Sequence, residues 1–210
     1  MSGITDGNAN EFNEYVYSLS PGYNEPNVRA AFKNAVPLRT IVMFCYDPRA
    51  AQIPFMLARI WPDEVYPGEL VLDKAGNKVG STATIFPIVV AGGRAIDALR
   101  SITIGHHLFG VQNIVVAHHT FCGTTSFTAD GLIDAFRAEQ GTDLSAVYER
   151  DSLAIHDFTS SLKHDVNLVR TSAGVPKTVN IFGYLFNIDT DEFTLVVEDA
   201  ENVYSGLARA

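Results

Sequence analysis

A chain of 210 residues is long enough for one substantial hydrophobic core and short for two complete domains. Hydrophobic residues make up 47% and charged residues 19%, a balance that is typical of a globular protein and excludes a disordered one. The net charge of −9 and the scattered basic residues argue against nucleic acid as a partner, because phosphate binding needs clustered Lys and Arg. With no secretory leader pattern and no apolar run of membrane-spanning length, the sequence predicts a cytoplasmic protein that does not associate with membranes.

The first part of the chain is predicted to be an N-terminal helical arm, residues 1–36, followed by one domain over residues 37–210. Short helices are expected at Glu11–Ser18 and Asn27–Ala35, separated by a stretch rich in Pro and Gly. Neither helix is long enough to be stable alone. We therefore expect the arm to dock on the core or on another subunit.

Three short apolar runs, Leu38–Cys45, Thr84–Val90 and Asn113–His118, predict strands that are buried on both faces. Between the last two, Ala95–Phe109 has apolar residues at helical spacing and is followed by Gly110 as a C-terminal stop. A strand, a helix and a second strand with short connections form a βαβ unit. This unit implies a parallel sheet.

Two β-hairpins are predicted outside this unit. Val65–Leu72 and Lys78–Thr84 flank a turn and predict an excursion between the first two core strands. Near the end of the chain, Val179–Ile188 and Phe193–Val197 flank a second turn. The second hairpin is expected to close the sheet.

The region after the third strand is predicted to be mainly helical. Asp130–Glu139 and Asp143–Leu162 have helical spacing, with Asp151 as a point where the second helix can break, and Val166–Val169 predicts a short strand. The predicted fold is therefore α/β, a single domain whose mainly parallel β-sheet is flanked by helices, with an N-terminal helical arm and a C-terminal β-hairpin.

Two cysteines and a histidine stand where predicted strands end. Cys45 ends the first strand and His119 the third, so a parallel sheet places both at its carboxyl edge, where open α/β sheets have their functional sites. Cys122 follows His119 by three residues, so a tight turn can aim both side chains at one point. Two thiolates and an imidazole suit one Zn²⁺ with an open fourth position, and thiolate ligation excludes Mg²⁺ and Ca²⁺.

The residues just after Cys45 fit a catalytic zinc site. Asp47 can accept a hydrogen bond from a zinc-bound water, and Arg49 can keep Asp47 ionised through a charge-assisted pair. Zinc lowers the pKa of such a water to about 7, so hydroxide is available near neutral pH. Asp47 and Arg49 are therefore the candidate catalytic residues.

The paired motifs Cys-x-Asp-x-Arg and His-x-x-Cys-Gly resemble those of the β-carbonic anhydrases. Ala91–Arg94 and Asp97–Ser101 are similar to the Ala-Gly-Gly and Leu-Arg-Ser segment of that family. His118–Leu132 is similar to its His-His-Thr-Asp-Cys-Gly stretch, and the likeness covers roughly residues 38–200.

The resemblance implies that Cys45, His119 and Cys122 bind one zinc ion and that Asp47 and Arg49 orient the attacking hydroxide. It implies a small-molecule substrate and a homodimer or higher homo-oligomer, in which the N-terminal arm lies over a partner subunit. In some members of the family the Asp of this pair swings onto zinc and closes the site at lower pH, which Asp47 could also do.

Three residues depart from the family pattern. Val89 and Val90 stand where the family usually has Arg-Asn, and Phe121 stands where it usually has Asp. These apolar residues would make a drier pocket that suits carbonyl sulfide or carbon disulfide, whereas the family as a whole favours carbon dioxide. The choice of substrate stays open. Together with these three residues, Tyr46 and Gly92 are the candidates to line the substrate pocket.

A different class of function is a non-catalytic zinc-binding protein or a thiol redox sensor on the same scaffold. Retention of Asp47 and Arg49 argues against it, because a structural zinc site needs neither. The other histidines are not expected to bind the metal. His118 is expected to point to the opposite face of its strand and pack there, and the remaining four are assigned to helices: His106, His107, His156 and His164.

Overall fold

Residues 9–200 are described by a computed structural model. Seven β-strands occur in these residues: β1 (Thr40–Cys45), β2 (Leu70–Leu72), β3 (Lys78–Ser81), β4 (Ile85–Val90), β5 (Asn113–His119), β6 (Asn180–Asn187) and β7 (Glu192–Asp199). The α-helices of the same residues are α1 (Glu25–Ala35), α2 (Ile53–Ile60), α3 (Leu99–Phe109), α4 (Ala129–Gln140), α5 (Arg150–Leu153) and α6 (Phe158–Thr171). None of these helices is both long enough and apolar enough to cross a membrane.

Five strands form one sheet in the order β4-β1-β5-β6-β7. The first four are parallel, and β7 is antiparallel to β6, so the predictions of a mainly parallel sheet and of a closing hairpin are confirmed. All residues of β1 and β5 are buried, as expected of central strands that are covered on both faces. Pro87 lies in β4, at the edge of the sheet, where a missing N–H is tolerated.

Helices cover both faces of the sheet. Alternate residues of each central strand point to opposite faces, so both faces carry apolar side chains that need cover. Ile41 and Met43 pack into one apolar cluster with residues of α3 and α6. Val42 and Phe44 pack into the other cluster with residues of α2. The sheet is therefore fixed rigidly between two layers, and the loops at its carboxyl edge start from fixed positions.

The strand predicted at Val166–Val169 is wrong, because these residues belong to α6. Leu162, Val166 and Val169 are spaced four and three residues apart, so they lie on one face of the helix and are buried against the sheet. The side chain of Asp157 caps this helix by accepting a hydrogen bond from the Ser160 N–H at 2.7 Å.

The helix predicted at Asp143–Leu162, with a break near Asp151, is divided further than expected. The chain forms a 3₁₀ turn at Leu144–Ala146 and the short helix α5, and α6 begins only after Asp157. The Asp143 side chain accepts from the Ser145 N–H and caps the 3₁₀ turn, as Asp157 caps α6. Each of these two capping residues starts a new segment. Asp151 itself lies within α5, and the chain leaves the helical conformation both before and after α5.

The hairpin excursion is confirmed with shorter strands than predicted, since β2 and β3 pair antiparallel as a separate two-stranded sheet. The helix predicted at Ala95–Phe109 consists of a 3₁₀ turn at Ala95–Asp97 followed by α3. Gly110 ends α3 in the left-handed conformation, with φ of 71°, as expected for a C-terminal stop.

The described part of the arm docks on the core through α1. Residues of the predicted helix Glu11–Ser18 form 3₁₀ turns instead of an α-helix. Arg29 Nε donates to the His107 carbonyl oxygen at 3.0 Å, and the rings of Phe32 and Phe109 meet edge to face with centroids 6.1 Å apart. The division of the chain at residue 36 stays a prediction.

Candidate metal centre

The carboxyl edge of the sheet brings Cys45, His119 and Cys122 together. Strands β1 and β5 are parallel neighbours, so the last residue of each lies at the same edge. The ligand atoms of the three residues lie within 4.8 Å of one another, and all three residues are buried. The two sulfur atoms are 3.8 Å apart.

A tight turn between His119 and Cys122 aims both side chains at one point. Phe121 occupies the left-handed region with φ of 55°, which costs a residue with a Cβ about 1 kcal/mol. A 3₁₀ turn follows at Gly123–Thr125, and the Thr125 hydroxyl donates to the Cys122 carbonyl oxygen at 2.7 Å. This hydrogen bond closes the short turn that follows Cys122.

The His119 ring has one nitrogen engaged and one free to bind a metal. Its Nδ1 lies 2.9 Å from the Thr120 carbonyl oxygen, so the Nδ1 carries the proton and donates it to that oxygen. Its Nε2 is buried and has no hydrogen-bond partner among residues 9–200. Such a carbonyl contact is the usual way in which a protein orients a metal-binding imidazole.

The geometry fits zinc. Two thiolates bound to one tetrahedral zinc at about 2.3 Å lie about 3.8 Å apart, and the sulfur atoms of Cys45 and Cys122 have this separation. The unpartnered Nε2 of His119 supplies the third donor atom. Sulfur and nitrogen donors favour zinc over hard cations, and three ligands leave a fourth position open.

Without a metal, the two thiols share their protons unequally. A hydrogen bond with Cys45, assisted by one from Thr124, lowers the pKa of Cys122 to about 6. The same contact with Cys122, together with burial, raises the pKa of Cys45 to about 12. The first proton therefore leaves easily and the second does not, because two adjacent thiolates need a cation between them.

Asp47 and Arg49 form a bidentate ion pair beside the three ligand residues. Arg49 Nε donates to Asp47 Oδ1 at 3.0 Å and Arg49 Nη2 donates to Oδ2 at 2.7 Å. These hydrogen bonds hold the pKa of the Asp47 carboxyl far below its ordinary value. Arg49 Nη2 also donates to the Phe121 carbonyl oxygen at 3.0 Å, so the pair connects the loops that follow β1 and β5.

The five pocket candidates differ in burial, and their role in a substrate pocket stays a prediction. Tyr46 and Phe121, next to Cys45 and Cys122 in the sequence, are each 68% exposed, and Val89 of β4 is 50% exposed. Val90 is half-buried and is the register partner of Cys45 on the neighbouring strand. Gly92 is buried with φ of 61° and lies against Thr124.

A cavity of about 680 Å³ opens next to the turn at Phe121. Its lining combines polar residues such as Thr120, His156 and Asp189 with apolar ones such as Phe121 and Phe158. Thr120 and Phe121 belong to the turn between His119 and Cys122, so the cavity lies beside that turn, and His156 faces the same cavity.

Sequence reasoning missed a buried ion pair behind the site. Arg94 donates from Nε to Asp165 Oδ2 at 2.8 Å, and His118 Nε2 lies 3.2 Å from the same oxygen. His118 is buried, as its predicted packing role requires, and burial lowers its pKa although Asp165 opposes this shift. Arg94 and Asp165 are far apart in the sequence, so only the fold reveals their contact.

No model of a known protein family matches the chain. A β-carbonic anhydrase 1 of Mycobacterium tuberculosis is 29% identical to it over 100 residues, which are 48% of this chain and 59% of that protein. A carbon disulfide hydrolase of Acidianus sp. is 27% identical over 114 residues, 45% of this chain and 56% of that one. The chain thus matches less than two thirds of the length of these relatives.

The crystal structure of a carbonic anhydrase from Streptococcus mutans shares the fold. It aligns with 90% of this chain and 95% of its own, with a TM-score of 0.57 and 21% identity.

Proposed function

Because the chain belongs to the β-carbonic anhydrase family, in the broad sense that includes carbon disulfide hydrolases, we propose that it is a zinc enzyme acting on a small linear O=C=X molecule. The observation that carries this proposal is the convergence of Cys45, His119 and Cys122 beside an ionised Asp47. Zinc held there supplies hydroxide near neutral pH, because it lowers the pKa of a coordinated water to about 7.

The role proposed for Asp47 follows from its hydrogen bonds. Its Oδ1 accepts from both the backbone N–H and the Nε of Arg49, whereas Oδ2 accepts from Nη2 alone within residues 9–200. Oδ2 therefore retains capacity to accept a hydrogen bond from the attacking hydroxide, which would turn a lone pair of that hydroxide towards the substrate carbon. Arg49 keeps the carboxylate ionised, so that Asp47 accepts a hydrogen bond and does not donate one.

We propose carbonyl sulfide as the preferred substrate, with carbon dioxide as the second candidate. Val90 lies directly beside Cys45, and Val89 and Phe121 add apolar surface near the ligand residues. Such surroundings favour an apolar linear substrate and do little to hold an anionic product. Carbon dioxide is supported by the Asp47–Arg49 pair and by the likeness to a mycobacterial β-carbonic anhydrase.

The paired measurement of kcat/KM on carbonyl sulfide, carbon disulfide and carbon dioxide, with one zinc-loaded preparation, tests the substrate. We expect the value for carbonyl sulfide to exceed that for carbon dioxide. Phe121→Asp should move the ratio towards carbon dioxide. Val147→Asp makes the same kind of change at an exposed residue outside the metal loops and should leave the ratio unchanged. A much larger value for carbon dioxide in the wild type would contradict the sulfur substrate.

The alternative, a thiol redox sensor, makes a different prediction for the purified protein. The sulfur atoms of Cys45 and Cys122 lie 3.8 Å apart, so a disulfide needs only a small movement. Metal analysis separates the two functions. About one zinc per chain supports the enzyme, whereas a zinc-free protein with a reversible disulfide supports the sensor. In the cytoplasm, where we place the protein, the thiols would normally stay reduced.

We also propose that the chain forms a homodimer or a higher homo-oligomer. Leu70 and Leu72 of the β2–β3 hairpin are 60% and 56% exposed, and Tyr15 and Tyr17 of the arm are 70% and 61% exposed. Apolar side chains grouped in this way mark a surface that another chain covers. Light scattering after size-exclusion chromatography should give at least twice the mass of 22.9 kDa. A mass of one chain at micromolar concentration would contradict the assembly.

A further inference from the structure

We propose that the Thr124 hydroxyl donates a hydrogen bond to the Cys122 sulfur and so sets how much charge this sulfur gives to the bound metal. Thr124 would thus be a positioning and tuning residue of the metal centre that no ligand pattern identifies. The inference rests on the metal site proposed above. It does not depend on which linear molecule is the substrate.

The contact itself is short and has one possible direction in the metal-bound state. Thr124 Oγ1 lies 3.1 Å from Cys122 Sγ, within hydrogen-bond distance of the sulfur. A metal-bound sulfur is a thiolate without a proton, so the hydroxyl must be the donor. Partners of this kind orient the first ligands and change how strongly they bind the metal.

Gly92 makes room for the Thr124 side chain. A Cβ at residue 92 would lie 2.8 Å from Thr124 Oγ1 and 3.0 Å from its Cγ2, closer than real Cβ atoms normally approach. With its φ of 61°, this position also favours glycine for its backbone conformation. The Ala91–Gly93 segment after β4 therefore forms one wall of the Thr124 site, and this gives Gly92 a role close to the metal.

A chain of hydrogen bonds fixes the Thr124 backbone from the other side. The Thr124 carbonyl oxygen accepts from the Ile155 N–H at 3.0 Å. The adjacent Ala154 carbonyl oxygen accepts from Arg94 Nη1 at 3.0 Å, and Arg94 is itself held by Asp165. The buried Arg94–Asp165 pair thus anchors the segment against which the metal turn rests, and the hydroxyl is presented in one orientation.

Thr125 offers a matched control within the same turn. Its hydroxyl donates to the Cys122 carbonyl oxygen at 2.7 Å and not to the sulfur. Thr125→Val therefore removes a hydroxyl from the same short turn without removing a donor to the ligand atom. Thr124→Val and Thr125→Val have the same chemical change and differ in which atom of Cys122 loses its partner.

The experiment compares cobalt-loaded wild type with Thr124→Val, Thr124→Ser and Thr125→Val. The position of the sulfur-to-cobalt charge-transfer band reports the energy of the thiolate electrons. We expect Thr124→Val to move the band to longer wavelength, because a thiolate that accepts no hydrogen bond transfers charge to the metal more easily. Thr124→Ser and Thr125→Val should keep the wild-type position. Zinc should also leave Thr124→Val about tenfold more readily in a chelator competition, because the Cys122 side chain loses the partner that holds it in position.

The outcomes separate the two proposals. A wild type that binds no cobalt would contradict the metal site and this inference together. Cobalt bound by all four proteins with an unchanged band in Thr124→Val would overturn only the role of Thr124. The same shift in Thr125→Val would overturn it too, since the effect would then belong to the turn. If circular dichroism shows that Thr124→Val does not fold, Thr124→Ala loses the same hydroxyl and must show the shift.

Discussion

Buried polar groups are hydrogen-bonded differently at the amino edge and at the carboxyl edge of the five-stranded sheet. At the amino edge, Thr40, Asn113 and Asn180 begin three neighbouring strands and form a continuous row of hydrogen bonds. Glu64 ends the row by accepting from Thr40 Oγ1 at 2.7 Å. Of this row, within the described residues, only Asn180 Oδ1 lacks a partner.

At the carboxyl edge the buried polar groups converge on a point instead of bonding along a row. The Nε2 of His119 has no partner among residues 9–200, and the two thiols beside it have pKa values shifted in opposite directions. Buried polar groups are normally satisfied, so an unpartnered imidazole nitrogen beside two thiols indicates a place for a ligand. The amino edge holds the sheet together, and the carboxyl edge is available for chemistry.

Loss of a ligand at the carboxyl edge should have the largest effect. Cys122→Ser replaces a soft thiolate by a hydroxyl that zinc binds poorly, so we expect zinc content near zero and activity reduced by about 10³-fold or more. Metal analysis and the hydrolysis assay measure both quantities. Near-normal zinc content with full activity in this variant would remove Cys122 from the site.

Asp47→Asn should have the next largest effect, because the amide keeps the shape but has lost the charge that Arg49 holds. We expect kcat/KM to fall by roughly 10²-fold, as is typical when one oriented hydrogen-bond partner of the reacting group is lost. Zinc content should stay near that of the wild type, since Asp47 is not one of the three proposed ligands. Loss of zinc together with activity would instead assign Asp47 a ligand role.

A change at the amino edge should affect stability without affecting the metal. Glu64 accepts hydrogen bonds from Arg39, Thr40 and Thr84, and Glu64→Gln places an amide N–H₂ among these donors. We expect the free energy of unfolding to fall by about 1–3 kcal/mol. Zinc content and kcat/KM per folded chain should not change. A large loss of zinc in this variant would break the separation of the two edges.

The smallest expected effect is a pH dependence of the metal-free, reduced protein. The pKa of Cys122 is lowered to about 6, so its thiolate forms as the pH rises through that value and is lost as the pH falls below it. The pKa of Cys45 is raised to about 12, so the second thiol stays protonated over the ordinary range. Thiolate absorbance near 240 nm should therefore correspond to one thiolate per chain between pH 7 and 10. Two thiolates per chain at pH 9 would contradict the opposite pKa shifts of the two cysteines.

The sequence predicted the parts of the fold that depend on local pattern. The apolar runs of β1 and β5 and the turn residues around the closing hairpin indicated a parallel sheet with Cys45 and His119 at one edge. The segment Val166–Val169 failed, because a short apolar run does not distinguish a strand from one face of a helix. The cap at Asp157 was the overlooked signal that a new helix starts there.

The contacts that support the candidate site could not be predicted in the same way. Arg94 and Asp165 are 71 residues apart, and their pairing depends on how α6 packs against the segment that follows β4. The hydrogen bond from Thr124 to Cys122 depends on the space that Gly92 leaves for the Thr124 side chain and on the Ile155 N–H that holds the Thr124 backbone. Ligand types can be read from residue identity, whereas their supporting hydrogen bonds arise from three-dimensional packing.

X-ray absorption at the zinc edge, combined with metal analysis of the purified wild type, tests the central claim most directly. The account predicts about one zinc per chain, with two sulfur neighbours at about 2.3 Å and one imidazole nitrogen at about 2.0 Å. The fourth neighbour should be an oxygen or nitrogen atom. Zinc bound with no sulfur neighbours, or a purified protein without zinc whose two cysteines are joined in a disulfide, would contradict it.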